Sequence, residues 1–394
     1  MPDYERSLHD TFFDLVRVPS PSLSEREVAK VVARKIRALG FEPLEDGAGE
    51  AIGGNCGNLV VKVPGSGSGP RILMAAHIDT VEKKGDPAAV PVVDGNWVSR
   101  DGGGILGADD KSGVAILLEL LGRLRGREAR HGDLLFAFTV AEEIECLGAA
   151  ELDPDLFAGF DAGVVLDYSR PDEIVVAAPT KVAFRMEFNG VAGHAAAPER
   201  RINAAHVLAK TIARLPIGRL DPYTTSNIGI IRAGAAINVI PGSAYAEYEI
   251  RSHRKDVLDF HVHRIIGIIE GTVRENRIFA FGKDGGGFGD SVATGTEAPI
   301  SSSVDVDVEV SYEGYRLDES SAPVRLLVSA VEKAGQTPGI ITAQGGSDAN
   351  ILNRRNLPTA VLGCGMYGAH SDGERANLAD MQNALETLTA MVMG

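Results

Sequence analysis

The sequence predicts an α/β domain that is interrupted by a smaller α+β domain, and three observations support this. A chain of 394 residues exceeds the usual size of one hydrophobic core. Continuous apolar runs alternating with helical segments, before residue 180 and after residue 316, indicate strands buried on both faces. Between them the elements follow the order βαββαβ, which is the ferredoxin-like motif. We therefore assign 1–179 and 317–394 to one domain and 180–316 to an inserted domain.

Helices and buried strands alternate in the first segment. Two helices are predicted between residues 5 and 39, and Ser22 or Ser24 could cap the second. A third helix begins at GADDKSG (107–113). Strands are predicted at 58–63, 71–79, 133–143 and 162–167. The last three end in polar residues, and ligands of open α/β sheets bind at the carboxyl ends of the strands.

The inserted segment has the longer helices and the alternating strands of an α+β domain. Its predicted strands are 181–190, 226–234, 243–252 and 304–315, and its predicted helices are 202–216 and 256–276. The glycine-rich stretch 282–299 is predicted to be a loop. After residue 316 the chain returns to the first domain with a helix at 321–335, a strand at 359–364 and a final helix.

Composition excludes several classes of function. The formal net charge of -15, from 39 basic and 54 acidic residues, argues against a nucleic-acid partner. The charged N-terminus does not resemble a secretion signal, and no apolar run reaches the roughly 20 residues that cross a bilayer. Three widely spaced cysteines fit a reducing compartment. We therefore expect a cytoplasmic protein that does not bind membranes.

The polar residues at the strand ends are the candidates for chemistry. His77 and Asp79 point to the same face of their strand, so Asp79 can support an imidazole that binds a metal. Asp109 lies at a turn before a helix, where it or Asp110 could simply cap that helix.

Adjacent carboxylates strengthen the case for a metal site. Glu142 and Glu143 repel each other unless a cation or a shared proton reduces the repulsion between their carboxylates. Alternatively, both could be solvated at a strand end. Asp167 repeats the strand-end position, and His370 adds a second imidazole from a glycine-rich loop. Together these nitrogen and oxygen donors match catalytic zinc, cobalt or manganese better than structural zinc.

Seven strings, in order along nearly the whole chain, resemble the co-catalytic dizinc peptidase and amidohydrolase family that includes peptidase T, aminoacylases and acetylornithine deacetylase. These strings are HIDTV, GADDKSG, TVAEEIECLGA, GVAGHAA, INVIPG, GGSDANIL and AHSDGE. GADDKSG is similar to the peptidase T-like branch, where many relatives have Gly-Asp-Asn in place of Ala-Asp-Asp. The resemblance implies a zinc-peptidase-like α/β catalytic domain with an inserted lid that often dimerises.

The resemblance also implies roles for the candidate residues. His77, Asp109 and Asp167 would bind one metal, and Asp109 would bridge to a second metal that Glu143 and His370 also bind. The cofactors would be two divalent ions, zinc first, with cobalt or manganese as alternatives. Asp79 would fix the tautomer of His77. Glu142 would be the general base that takes a proton from the bridging water and passes it to the leaving amine.

Four further residues resemble substrate-contacting positions of the family. His194 would stabilise the oxyanion across a homodimer formed through the lid, although it could also be an exposed loop histidine. Asn238 and Arg251 would bind substrate, but Arg251 could pair with Glu249 instead. Gly346 would present its backbone to the substrate, or it could be an ordinary turn glycine.

These implications predict a hydrolase of short peptides, foremost a peptidase T-like aminopeptidase. An N-acyl-amino-acid amidohydrolase or a carboxypeptidase would use the same metal chemistry, since the lid string GHAAAPERRINAA departs from peptidase T toward the broader family. A non-catalytic peptide or metal carrier is the alternative outside enzymes. GGGILG at 102–107 matches a dinucleotide fingerprint, but the acid that should follow a second strand, Glu119, lies within a helix.

Overall fold

The protein is described here from a computed structural model. It describes residues 3–65, 67, 69–82, 85–125, 131–278 and 300–394, so the predicted glycine-rich loop at 282–299 lies outside the described residues.

The helices of the described residues are distributed along the whole chain. They are α1 (Asp3–Val16), α2 (Arg26–Ala38), α3 (Ala48–Ile52), α4 (Ala108–Leu124), α5 (Leu147–Glu151), α6 (Ala204–Ile212), α7 (Lys255–Glu275), α8 (Ala322–Lys333), α9 (Asp348–Arg354) and α10 (Leu378–Met393). A single 3₁₀ turn at Pro154–Leu156 accompanies them within the described part of the chain.

The strands of ten residues all lie in the middle of the chain, within the described residues. Before residue 180 they are β1 (Leu44–Glu45), β2 (Leu59–Val63), β3 (Ile72–His77), β4 (Pro91–Asp94), β5 (Trp97–Arg100), β6 (Leu134–Thr139), β7 (Ala162–Leu166) and β8 (Glu173–Ala178). The middle strands are β9 (Thr180–Asn189), β10 (Gly193–His194), β11 (Gly218–Asp221), β12 (Thr224–Ala233), β13 (Val239–Ile240), β14 (Ser243–Ser252), β15 (Arg277–Ile278), β16 (Ile300–Ser301) and β17 (Ser303–Tyr312). The last are β18 (Tyr315–Arg316), β19 (Gly339–Thr342), β20 (Thr359–Leu362), β21 (Met366–Tyr367) and β22 (Arg375–Asn377).

Contacts divide the chain into two units, Met1–Pro179 with Tyr312–Gly394, and Thr180–Ser311. The chain re-enters the first unit earlier than the boundary predicted after residue 316. The reason is β18, whose residues Tyr315 and Arg316 pair with β8 of the first unit. The alternating pattern of the preceding strand runs on into these residues and conceals the break.

The first unit is built on a sheet with the order β1-β2-β6-β3-β7-β20-β8-β18, in which β19 also pairs with β8. Its centre is parallel, because β3 runs parallel to both β6 and β7, and β20 runs parallel to β7. Every residue of β3, β6 and β7 is buried, as their continuous apolar sequences predict. The carboxyl ends of these three strands therefore meet at one edge.

The second unit is a five-stranded antiparallel sheet with the order β11-β12-β14-β9-β17. Burial alternates along β14 and β9, so that one face packs on α6 and α7. The buried side chains of this face include Phe184, Phe188, Tyr248 and Ile265. Without β11, the strand order is that of a ferredoxin-like βαββαβ motif.

A smaller sheet, β21-β22-β5-β4, completes the strands that concern the site. β21 and β22 form an antiparallel pair, and the loop between them carries His370. Among the described residues, we find no helix with the length and apolar character needed to cross a membrane.

Candidate metal centre

The parallel strands bring the predicted ligands to one edge of the large sheet. His77 is the last residue of β3 and lies opposite Thr139, the last residue of β6. Asp167 directly follows β7, and Glu142 and Glu143 lie just beyond β6. Residues that are far apart in sequence are therefore neighbours here because their strands end together.

Asp109 lies between two groups of potential ligands. Its Oδ1 is 3.0 Å from His77 Nε2, and its Oδ2 is 3.4 Å from His370 Nε2. His370 Nε2 also lies 2.7 Å from Glu143 Oε2. One ligand atom from each of His77, Asp109 and Asp167 lies within 4.8 Å of the others, and the same holds for Asp109, Glu143 and His370. The two oxygens of one carboxylate thus face two separate groups.

The electrostatics of these groups call for positive charge. Burial, together with the charges of Asp109 and Glu142, raises the pKa of Asp167 well above its usual value. Burial also raises the pKa of Glu143. Hydrogen bonds to Asp109 and Glu143 raise the pKa of His370 to about 10. Buried carboxylates crowded in this way need positive charge beside them.

The donor set fits a pair of divalent cations. Glu143 Oε1 is buried and has no hydrogen-bond partner within the described ranges. A buried carboxylate oxygen without a hydrogen-bond partner is unfavourable unless it binds a cation. Imidazole and carboxylate donors in two groups that share Asp109 match the mixed nitrogen and oxygen ligands of catalytic zinc, cobalt or manganese.

Side chains from distant parts of the sequence fix the segment that follows β6. The N–H groups of residues 140 and 141 donate to Asn58 Oδ1 at 3.0 Å and Glu25 Oε1 at 3.1 Å. Those of Glu142 and Glu143 donate to the two oxygens of Asp79 at 3.0 and 3.2 Å. Four consecutive backbone donors are thus satisfied by side chains, and this orients the two glutamates. The local sequence around Asn58 and Glu25 does not indicate this role.

Asp79 has a broader structural role than the one predicted for it. His77 Nδ1 lies 3.1 Å from the backbone oxygen of Asp79 and 3.4 Å from its carboxylate, so the carbonyl is the nearer partner. Ser22 Oγ donates to the same carboxylate at 2.7 Å. The prediction that Ser22 or Ser24 caps α2 is wrong, because the residue preceding that helix is Glu25, which makes no side-chain cap bond.

The turn that carries Asp109 is fixed by Glu374, which follows His370 in the sequence by four residues. The buried Glu374 carboxylate accepts the N–H groups of Leu106, Gly107 and Asp109 at 2.6 to 3.0 Å. It therefore connects the loop that carries His370 to the turn that carries Asp109. Glu374 belongs to the string AHSDGE, but the string alone did not indicate this contact.

Asp110 lies in the first turn of α4, which Gly107 precedes and no side chain caps. Its Oδ1 accepts the Gly113 N–H at 3.0 Å, and its Oδ2 accepts the His77 N–H at 3.3 Å. A side chain at Gly113 would place Cβ 2.5 Å from Asp110 Oδ1, so this position requires glycine. The Asp109–Asp110 peptide bond is cis.

Comparison with known proteins identifies the family. A family model described as peptidase family M20/M25/M40 matches residues 73–394. The chain belongs to this family. The aminopeptidase PepT from Bacillus cereus has 30% sequence identity and a TM-score of 0.78, with 99% of this chain and 98% of that chain covered. A tripeptidase from Staphylococcus aureus has 28% identity and a TM-score of 0.83 at the same coverage. YqjE of Bacillus subtilis is 29% identical over 390 residues, 98% of each chain.

These matches confirm the predicted family and the mixed α/β fold, and the chain is a hydrolase of the metallopeptidase class. The peptidase T-like branch is confirmed with them.

In this M20 peptidase His194 and Asn238 are neighbours within the second unit. β10 pairs with β13, which places His194 opposite Val239, and the Ala195 N–H donates to the Asn238 carbonyl at 2.9 Å. His194 is exposed, and its Nδ1 accepts the Ala196 N–H at 3.1 Å. In a neutral ring the proton is therefore on Nε2, which becomes a hydrogen-bond donor.

Arg251 and Gly346 have protein partners of their own. Arg251 donates from Nε and Nη2 to the two oxygens of Glu249, each at 3.0 Å. Burial opposes ionisation of Glu249, but the Arg251 guanidinium lowers its pKa below the usual value. The Gly346 N–H donates to Tyr312 Oη at 3.1 Å, and a Cβ there would lie 2.4 Å from the Tyr312 ring. A substrate would have to compete with these contacts.

Proposed function

We propose that this M20 peptidase is an aminopeptidase that removes the N-terminal residue from short peptides with the help of two divalent cations. The observation that carries the proposal is Asp109, whose two oxygens face the His77 group and the His370 group separately. The full-length similarity to an aminopeptidase and a tripeptidase supports the choice of substrate. The three cysteines are free, which fits the cytoplasm as its location.

Five residues would hold the cations, namely His77, Asp109, Glu143, Asp167 and His370. Zinc is the first choice, with cobalt or manganese as alternatives. Bound there, the cations would polarise the scissile carbonyl and make water a nucleophile near neutral pH.

Glu142 is the proposed general base. It belongs to neither group, although its Oε2 lies 3.9 Å from His77 Nε2 and its side chain is 10% exposed. Burial, followed by the charges of Asp348 and Glu143, raises the pKa of Glu142 well above its usual value. Such a carboxyl can take a proton from the attacking water and deliver it to the leaving amine. The hydrogen bonds of Asp79 to residues 142 and 143 orient it for this role.

His194 is proposed to stabilise the oxyanion through Nε2, across a homodimer formed by the second unit. Its Nδ1 contact with Ala196 supports this, because it leaves Nε2 as the donor. In the His194→Ala variant kcat should fall by about 10²–10³-fold, the usual effect of losing such a donor. Mixed dimers with an inactive Glu142→Ala chain should recover activity. Full activity of the His194→Ala homodimer would contradict the assignment.

Asn238, Arg251 and Gly346 are proposed to contact the substrate. The proximity of Asn238 to His194 supports the first of these. Arg251 would bind a substrate carboxylate by exchanging its two hydrogen bonds with Glu249 for it.

A substrate panel tests the proposal directly. Tripeptides, the same tripeptides with acetylated N-termini, dipeptides and N-acyl amino acids are incubated with the zinc, cobalt and manganese forms. We expect free tripeptides to lose their N-terminal residue and acetylated ones to stay intact. Release of the C-terminal residue would identify a carboxypeptidase, and cleavage of N-acyl amino acids alone would identify an amidohydrolase. No hydrolysis by any metal form would favour a non-catalytic binding protein.

Two variants control the panel. Glu142→Ala should keep two metals per chain and lose about 10²–10⁴-fold in kcat, the usual contribution of a general base. Glu151→Ala, which removes an exposed glutamate from α5, should resemble the wild type. Near-normal turnover by Glu142→Ala would rule out its role as base.

A further inference from the structure

We propose that Glu142, Cys146 and Asp348 form a third metal site, selective for zinc-like cations, whose occupation inhibits the enzyme. One oxygen of each carboxylate and the Cys146 Sγ lie within 4.8 Å of one another. This cluster, which we call the thiol site, shares no residue with the His77 and His370 groups. The inhibitory part of the proposal rests on Glu142 being the general base, whereas the binding part does not.

A tight turn brings Cys146 back onto Glu142. The Cys146 N–H donates to the Glu142 carbonyl at 2.8 Å, and Glu145 and Cys146 both have left-handed backbone, with φ of 83° and 57°. The Cys146 thiol then lies 3.4 Å from Glu142 Oε1, to which it donates. The backbone therefore fixes a sulfur atom beside the catalytic carboxylate.

Asp348 supplies the second observation that points to a ligand. It is 1% exposed, and its Oδ2 accepts the Thr139 hydroxyl at 2.5 Å. Its Oδ1 is buried and has no hydrogen-bond partner among residues that the structure describes. Burial raises the pKa of Asp348 to about 6, so its charged form is poorly compensated near neutral pH. A cation bound to Asp348 in the thiol site would supply positive charge beside this carboxylate.

The donors of the thiol site determine which cations it prefers. A thiolate with two carboxylates suits zinc, cadmium or cobalt, and it suits magnesium and manganese poorly because they prefer oxygen. The other two groups contain imidazole and carboxylate but no sulfur. Occupation of the thiol site is therefore spectroscopically distinct, since only there would cobalt bind to sulfur.

Inhibition would follow from the loss of the free base. A carboxylate bound to a cation no longer accepts a proton from water, so Glu142 could not act. We expect activity to rise up to two equivalents of zinc and to fall with further zinc, while excess manganese inhibits little.

A cobalt titration of the metal-free full-length protein tests the binding. We expect no thiolate-to-cobalt charge-transfer band in the near ultraviolet up to two equivalents, and a band with the third equivalent. The band should be lost in Cys146→Ser. It should persist in Cys56→Ser and Cys364→Ser, which remove the other two buried thiols. Absence of a band in the wild type, or its survival in Cys146→Ser, would overturn the proposal.

Zinc inhibition tests the consequence. For each variant, activity is expressed relative to its own value at two equivalents of zinc. The zinc concentration that halves this activity should rise at least tenfold in Cys146→Ser, and it should not move in Cys56→Ser. Asp348→Asn provides an independent variant, expected to weaken the cobalt band, if Cys146→Ser does not fold. An inactive wild type with a normal thiolate-to-cobalt band would count against the proposed function alone. A zinc inhibition curve that is unchanged in Cys146→Ser would refute inhibition through the thiol site.

Discussion

The two histidines at the candidate metal centre have similar ligand chemistry but different structural support. His77 ends a buried parallel strand, is 1% exposed, and has its Nδ1 against the Asp79 carbonyl. His370 is 56% exposed and lies in the loop between β21 and β22 with a φ of 62°. One half of the site is therefore preorganised by the sheet, and the other depends on a hairpin loop. Since preorganisation of ligands strengthens binding, we expect the cation on the His370 side to be bound more weakly.

The largest effect is expected at the residue that both halves share. Asp109→Ala removes the oxygens that face His77 and His370, so both groups lose a ligand together. We expect fewer than one metal per chain by atomic absorption after dialysis, and no detectable peptide hydrolysis. Asp101→Ala, at an exposed turn, serves as control. Retention of one tightly bound metal would show that the halves are more independent than their shared carboxylate implies.

Comparison of the two histidine variants measures the asymmetry directly. His77→Ala should lose metal from the sheet side and destabilise the fold, because it leaves a cavity among buried polar groups. His370→Ala should retain one metal per chain and fold normally, since the ring is mostly exposed. Metal content and thermal unfolding are compared with His206→Ala, which alters an exposed histidine on α6. Equal metal loss in both variants would remove the proposed asymmetry.

The fold was predictable where one pattern of apolar residues extends over a whole strand or helix. β3, β6 and β7 read as uninterrupted apolar runs because both faces of the sheet are covered. β8 was missed, since only Pro179 separates it from β9. The hairpin of β4 and β5 was also missed, because its partner β22 lies near the end of the chain.

The site was predictable only as far as residue type and strand ends reveal it. His77, Asp109, Glu143, Asp167 and His370, which the structure brings together, could be proposed as ligands because the chemistry of metal-binding side chains is evident from residue type. The residues that orient these side chains could not be predicted from the sequence. Ala141 and Glu25 are 116 residues apart, and Asp109 and Glu374 are 265 apart, so no local pattern links them. In sequence Glu25 and Glu374 are indistinguishable from surface glutamates.

A smaller effect, confined to the His370 side, is expected from Glu374→Gln. The amide retains one oxygen for the Leu106, Gly107 and Asp109 donors but introduces an N–H₂ group that faces one of them. The link between the two loops should weaken, lowering affinity for the second metal by about 10–100-fold, as for other groups that orient ligands. Affinity for the first metal should change less. Zinc titration against a chelating indicator measures both, with Glu313→Gln as a control outside these contacts.

Substitution of Glu25, which accepts the Ala141 N–H in the segment after β6, should have the smallest effect on metal content. It should have a distinct effect on stability. Burial and then the charge of Asp79 raise the pKa of Glu25 from 4.5 to about 7. The folded protein therefore retains this proton to higher pH than the unfolded chain. The resulting stabilisation is complete below pH 4.5 and is lost as pH rises through about 7.

Glu25→Gln cannot titrate, so it should lack this pH dependence. Between pH 5 and 8 the free energy of unfolding of the metal-free wild type should fall relative to the variant by about 2–3 kcal/mol, given ~1.4 kcal/mol per pKa unit. Urea denaturation at the two pH values measures the difference, and Glu27→Gln, at an exposed position on α2, should show none. A parallel pH dependence in wild type and Glu25→Gln would mean that Glu25 is ionised in the fold. The Ala141 N–H would then be bound by a charged carboxylate, and the sheet side of the site would be held more strongly than we infer.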